Sequence, residues 1–313
     1  SMRVLIIGGT RFLGAYTARE LVSRGHDVTV LHRGNTPACL PETVTEILGD
    51  ARDRSVVEPI LASGGYDAVV DTILRAKDLE WYLPVLEAHT KQLVHCGSTG
   101  VYAPAGAMPV REDDPTPCPA EFGGFGEKLA QDAALAAFRA KTGFRVCSLR
   151  ISNVFGAGDV PLDAWGNRRP KFFQRLANGD EVWVPDDGRA LLQPVHAADL
   201  ARGFTAAVEA ESLAEVVYNL SSERAVTLMR YTEHARELLC GQGAIRCVPT
   251  AQILATGQAD EAGLRFVCEH MCIDSSRARA AFGYVPRFDV RAGLRDSLRW
   301  MLHRGLIRGA LAE

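Results

Sequence analysis

Gly8 and Gly14 occupy the outer positions of a G-x-x-G-x-x-G turn, Gly8-Gly9-Thr10-Arg11-Phe12-Leu13-Gly14, which follows the apolar run Val4-Leu5-Ile6-Ile7. A strand, a glycine-rich turn and a helix in that order offer free backbone N–H groups and the positive end of a helix dipole to a pyrophosphate. Gly8, Thr10, Phe12, Leu13 and Gly14 are the residues expected there. The middle position of the turn carries Arg11, and the next apolar run, Val28-Thr29-Val30-Leu31, ends in His32-Arg33-Gly34. A carboxylate in place of Arg33 would bond a ribose 2′-hydroxyl and repel a 2′-phosphate, whereas guanidinium groups grip a 2′-phosphate through charge-assisted bidentate hydrogen bonds. Arg11 and Arg33 therefore predict NADP(H) in preference to NAD(H); the plain alternative is two solvated surface arginines.

Other groups invite a chemical reading and lose it on inspection. His196 and Asp199 lie at an expected helix start, where capping and packing explain them better than catalysis. Cys268-Glu269-His270-Met271-Cys272, with Cys240 and Cys247 upstream, matches no common zinc spacing, so no metal is expected. The eight cysteines are scattered, most within apolar runs such as Val94-His95-Cys96, which suits reduced core thiols in a cytoplasmic protein. Thirty-five Lys and Arg are interspersed with 38 Asp and Glu, for a net charge of −3, so nucleic acid is disfavoured as a partner. There is no apolar run of about 18 residues and no signal-peptide pattern, so no membrane contact is expected. Ser1-Met2 reads as an expression-tag remnant.

The elements that must position the first group alternate. A helix from Phe12 to Arg24 should stop at Gly25. Val44–Leu48, Ala68–Asp71 and Gln92–Cys96 read as further strands with helices between them, and Lys128–Lys141 and Arg145–Ile151 add one more helix and strand. Such alternation implies right-handed crossovers, hence an α/β, Rossmann-type doubly wound parallel sheet. Beyond Ser152 the rhythm weakens, and 156–170 reads as a substrate-facing excursion carrying Arg168 and Arg169, with Lys171 just beyond. Strands at 182–184 and 216–218 and helices at 199–210, 228–240, 275–282 and 290–303 follow. The expected division is a cofactor domain of 1–156 plus about 190–215, and a smaller, discontinuous C-terminal substrate domain of about 157–189 and 216–313. Pro104, Pro109, Pro115, Pro117 and Pro119 make 102–122 a loop, placed over the site.

The chain resembles the extended short-chain dehydrogenase/reductase superfamily of sugar-nucleotide epimerases, dehydratases and reductases, nearly end to end. Besides the glycine turn, Gly49-Asp50-Ala51-Arg52-Asp53 resembles its adenine-contacting turn, and Gly97-Ser98-Thr99-Gly100-Val101-Tyr102 its S-S-x-x-V-Y-G strand end. Leu149–Gly156 resembles L-R-x-x-N-V-Y-G, Pro194–Ala201 resembles V-H-V-x-D-L-A, and Phe282–Pro286 resembles L-G-w-x-P. The G-G-T-R-F-x-G turn is similar to that of an atypical branch, which includes chloroplast stem-loop RNA-binding proteins and bacterial reductases or epimerases. The resemblance implies that Ser98, with Thr99 beside it, binds the substrate oxygen and that Lys128 holds the nicotinamide ribose. It also implies Asp50 at the adenine amine, Ala51 and Thr72 in the cofactor groove, Asn153 at a substrate phosphate, and a homodimer formed through a helix pair.

The chain departs from that pattern twice. The family's proton-transferring Tyr, four residues before the Lys, is Gly124 here, with Phe125 the nearest aromatic. General acid–base catalysis is worth roughly 10²- to 10⁴-fold in rate, so its absence matters. Either another group replaces it (Tyr102, Glu127 or a loop hydroxyl), or water or the substrate shuttles the proton, or the protein binds NADP(H) without catalysis. The family's diphosphate-pairing Arg is Leu192, leaving Arg168, Arg169 and Arg189 as substitutes. The reading favoured by the sequence is NADP(H)-dependent oxidoreduction or epimerisation at a sugar or polyol-like carbinol, in a small-molecule substrate. The alternative is a non-catalytic NADP(H)-binding regulatory or RNA-binding protein.

Overall fold

A computed structural model describes residues 1–8, 12–35 and 39–313. The first half of the chain alternates strand and helix: β1 (Arg3–Ile7), α1 (Phe12–Ser23), β2 (Asp27–His32), β3 (Thr45–Leu48), α2 (Arg54–Gly64), β4 (Ala68–Asp71), α3 (Ala76–His89), β5 (Gln92–Ser98), α4 (Phe125–Thr142) and β6 (Arg145–Ile151). The second half is less regular. It comprises β7 (Val154–Phe155), α5 (Pro170–Asn178), β8 (Val182–Pro185), β9 (Leu191–Leu192), β10 (Val195–His196), α6 (Ala197–Glu209), β11 (Val217–Leu220), β12 (Val226–Thr227), α7 (Leu228–Leu238), β13 (Ile245–Val248) and four further helices. These last are α8 (Thr250–Leu254), α9 (Glu261–Val267), α10 (Ser276–Phe282) and α11 (Val290–His303).

Seven strands form one parallel sheet in the order β11-β6-β5-β4-β1-β2-β3, the Rossmann-type α/β fold expected. The two-residue period of a strand explains why β1 is apolar throughout. Val4 and Ile6 join the core under α1, α6 and α10, with Ala18, Leu21, Leu200, Phe204 and Ala278. Leu5 and Ile7 face the other way, into the core with Val57, Leu61, Leu79, Leu83 and Leu135 from α2, α3 and α4. The strand order reverses between β1 and β4, which opens a crevice at their C-terminal ends. A separate apolar core lies in the second half of the chain, where Phe172, Phe173 and Leu176 of α5 meet Tyr231 and Leu238 of α7, Leu294 and Leu298 of α11, and Val184 of β8.

Several boundaries differ from the sequence reading. Helix α4 begins at Phe125, three residues early, so Lys128 sits at the end of its first turn and does not open it. Helix α5 starts within the stretch read as an excursion, with Pro170 at its first position, where a missing N–H costs nothing. Helices α8 and α9 were not foreseen; at five and seven residues they are too short to show periodicity. The cysteines are less buried than expected: Cys96 and Cys147 are buried, while Cys39, Cys240 and Cys247 are exposed. Among the described residues no helix is long and apolar enough to cross a membrane.

His196 ties the halves together and caps α6. Its Nδ1 accepts from Ala198 N at 2.9 Å, so Nε2 carries the proton and donates to Asp296 Oδ2 of α11 at 2.8 Å. Asp199, wholly buried, accepts from Arg287 N and Phe288 N. The His196 bond, with help from Ala157 N and Arg299, pulls the Asp296 carboxyl down to about 2 against the opposing effect of burial. A folded-state value below the unfolded one gives stability that is present above the ordinary aspartate range and lost as pH falls toward 2. Asp296→Asn should therefore cost about 1.5–3 kcal/mol at neutral pH. Denaturant unfolding of both proteins should show that gap closing below the ordinary aspartate range; a constant gap would contradict the assignment.

Candidate active site

The first candidate region lies at the β1–β4 crevice. Gly8, in the left-handed region at φ +85°, follows β1 and donates its N–H to Leu31 O at 3.3 Å. A Cβ there would lie 2.8 Å from both Ile73 Cγ2 and Thr72 Oγ1, so only glycine lets the turn close on the β4 loop. Thr10 and Arg11 fall outside the described residues. Phe12 opens α1, Leu13 packs into the core beneath it, and Gly14 is buried. Beside this turn, a cavity of about 400 Å³ is lined by Gly8, His32, Arg33, Asp50, Ala51, Arg52 and Ile73, among others. Arg33 reaches Asp50 at 3.7 Å with both side chains largely exposed, so its guanidinium is not consumed by that pair. Arg52, not singled out from the sequence, donates to Ile73 O at 2.9 Å and pairs with Asp78 at 3.5 Å.

The second region sits at the C-terminal ends of β5 and β6. A cavity of about 250 Å³ is lined by Ser98, Thr99, Lys128, Ser152, Asn153 and Arg168 on its polar side. Ser98 Oγ accepts from Gly100 N at 3.1 Å, which leaves its own O–H free to donate. Lys128 Nζ, half-buried, donates to Cys96 O at 3.4 Å and has no ion-pair partner among the described residues. The carboxamide of Asn153 bonds to no described residue. Arg168 Nη1 is fixed by Val154 O at 3.0 Å and Val160 O at 2.8 Å.

Apolar side chains complete the lining: Phe125, Phe266 and Met271, among others. The Phe125 and Phe266 rings lie 4.8 Å apart. A Cβ on Gly100 would fall 2.0 Å from the Phe125 ring, so the ring rests directly on that backbone. Phe266 and Met271 come from the far end of the chain, carried in by a bridge of Val110 to Ile273. No local sequence signal marks them.

Some predicted residues lie elsewhere. Tyr102 is 1% exposed and does not line the cavity; its hydroxyl donates to Asn219 Oδ1 at 2.6 Å and accepts from Arg150 Nη1 at 2.9 Å. Burial raises its pKa. Glu127 points to Ala76 N at 2.8 Å. Arg189 lies on an exposed turn outside the cavities described here. Arg169 lines a third cavity, of about 160 Å³, with Trp165, Lys171, Phe172, Arg175 and Trp183. Asp163 and Glu181 line it too, and burial raises the Asp163 carboxyl to about 6 despite bonds from the N–H groups of Trp165 and Asn167.

This arrangement agrees with the comparisons to known proteins. Residues 4–221 match the NAD-dependent epimerase/dehydratase family, and the chain belongs to that family. It is 28% identical to the chloroplast stem-loop binding protein of 41 kDa b of Arabidopsis thaliana, over 98% of this chain and 81% of that protein. It is 30% identical to a UDP-glucose 4-epimerase of Corynebacterium glutamicum, over 76% of this chain and 80% of that one. In fold it is similar to a UDP-glucose 4-epimerase from Stenotrophomonas maltophila solved with NAD and a formylated UDP-arabinopyranose. That match has a TM-score of 0.79 and 21% identity, and covers 97% and 99% of the two chains.

Proposed function

We propose that this chain is an NADP(H)-dependent oxidoreductase or epimerase acting at a carbinol or carbonyl of a sugar-like, anionic substrate. The observation that carries this reading is the shared cavity of Ser98, Lys128 and Asn153, each of which keeps at least one donor free, at the strand ends beside the Gly8 crevice. Gly8, Leu13, Gly14 and the start of α1 would hold a pyrophosphate, and Asp50 and Ala51 the adenine end. Lys128 would meet the nicotinamide ribose. The bound nicotinamide would supply or accept the hydride, while Ser98 hydrogen-bonds the reacting oxygen. Arg33, exposed at the groove edge, would take the 2′-phosphate. Relatives that are UDP-glucose 4-epimerases support a sugar-nucleotide substrate. Arg169, Lys171 and Arg175, set among Trp165, Phe172 and Trp183, suit its anionic, ring-bearing end.

Native mass spectrometry with NADPH and NADH tests this reading first. Tight binding of NADPH and weak binding of NADH supports it, and binding of neither rejects it. Arg33→Asp should lower the NADPH-to-NADH affinity ratio at least about tenfold, the value of one charge-assisted hydrogen bond. An unchanged ratio would remove Arg33 from the 2′-phosphate site.

A second reading, a non-catalytic NADP(H)-binding protein, draws support from the Phe125 ring seated on Gly100 close to the expected position of a phenol. Hydride exchange between the bound cofactor and any substrate would exclude it.

A further inference from the structure

The geometry points to Lys128 as the proton donor and acceptor of the reaction, in place of the missing phenol; this assignment rests on the oxidoreductase reading above. Among the described residues, every other titratable group near the cavity is spent or out of reach. The Tyr102 hydroxyl is held by Asn219 and Arg150 beneath the site. Glu127, next to Lys128, is engaged by Ala76 N and by Gln131 Nε2 at 3.3 Å, and does not line the cavity. The Cys96 thiol bonds to Gly97 O, and burial pushes it up to about 12. Arg168 lines the cavity, but a guanidinium does not release its proton in proteins. Among the described residues, Lys128 is the one cavity-lining side chain left that can change protonation state at the reacting oxygen.

Its surroundings suit that work. The ammonium has three donors, and the protein takes one, at the Cys96 carbonyl. Among the described residues no carboxylate pairs with it, so the remaining N–H bonds are available to a substrate oxygen. Phe125, Phe266 and Met271 add apolar surface to the same cavity, which lowers the local polarity around those donors. In the reducing direction, dihydronicotinamide, once bound, would supply a hydride to the carbonyl carbon as the C=O π pair shifts onto oxygen. An Nζ–H bond breaks as the O–H bond forms, which leaves Lys128 as a neutral amine that regains its proton from solvent water. Oxidation runs the same steps backwards. Ser98 donates a second hydrogen bond to the oxygen as its charge develops.

The test separates proton transfer from ribose binding. The protein and its Lys128→Arg and Lys128→Ala variants would be titrated with NADPH by native mass spectrometry. They would then be assayed for NADPH oxidation with glyceraldehyde and for NADP⁺ reduction with UDP-glucose and sorbitol. Lys128→Arg is expected to bind NADPH nearly as the parent does while losing about 100-fold in turnover, the scale of a lost general acid. At saturating NADPH, Lys128→Ala should recover about tenfold on addition of methylamine, with recovery graded by basicity across a series of primary amines. Full turnover in Lys128→Arg, or no amine recovery in Lys128→Ala, would overturn the assignment. So would a drop in NADPH affinity that accounts for the whole loss of rate. A wild-type protein that binds NADPH yet turns over none of the probes would overturn the oxidoreductase reading itself, and this assignment with it.

Discussion

Arg150→Met is expected to destabilise the protein by about 3–5 kcal/mol, because it strips the partner from a buried carboxylate. Arg150 Nε bonds Asp132 Oδ2 at 2.8 Å, with side chains 6% and 4% exposed. Its Nη1 also holds the Tyr102 hydroxyl, which in turn holds Asn219. Asn219 ties this network to the proline-rich 102–122 segment, its backbone N–H donating to Glu112 Oε2 and its carboxamide N–H to Val110 O and Asp274 O. The substitution should therefore loosen the Val110–Asp274 connection that carries Met271 to the cavity wall. Thermal unfolding measures the loss, expected to be roughly 5–8 °C for a chain of 313 residues. Adding Asp132→Asn should recover part of it, since Ser148 can still bond an amide and no unpaired charge remains. A single variant within 1 °C of the parent would show that the pair contributes nothing net.

Gly8→Ala should weaken NADPH binding by at least about 100-fold while leaving a folded protein. Two costs combine. At φ +85° an alanine is strained by about 1–2 kcal/mol. Its Cβ would also meet Ile73 Cγ2 and Thr72 Oγ1 at 2.8 Å, which moves the β4 loop off the turn. Both act where a pyrophosphate must approach the backbone. Circular dichroism confirms the fold and native mass spectrometry reads the affinity; binding within threefold of the parent would mean the crevice is not the cofactor site. Gly25 gives a useful contrast. It also has positive φ, but nothing lies within 4 Å of its added Cβ, so Gly25→Ala should cost a little stability and no binding.

The alternating halves of the sheet were legible because β1, β2 and β4 are buried on both faces and read as largely apolar runs, interrupted in β2 only by the buried Thr29. Ser98 and Lys128, singled out by the family resemblance, do line one cavity, because each belongs to a short segment whose strand end or helix turn is set locally. His196 was legible as a cap for the same reason. Tyr102 was not legible, since its fate depends on Asn219, 117 residues away, and on Arg150, 48 away. The α8 and α9 helices were hidden because so few residues display no period.

By itself the sequence determined the parallel α/β sheet, the glycine turn at its crevice, and the set of polar groups at the ends of β5 and β6. Periodicity and turn chemistry act over a few residues, and the chain states them directly. The tertiary structure alone decided which polar groups face a cavity and which are consumed beneath it. It buried the Tyr102 hydroxyl, turned Glu127 to the Ala76 N–H, and left the Lys128 ammonium unpaired. It also brought Phe266 and Met271 across from the far end of the chain to wall the site. Such outcomes depend on contacts between residues a hundred or more apart, and these are fixed only once the cores have packed.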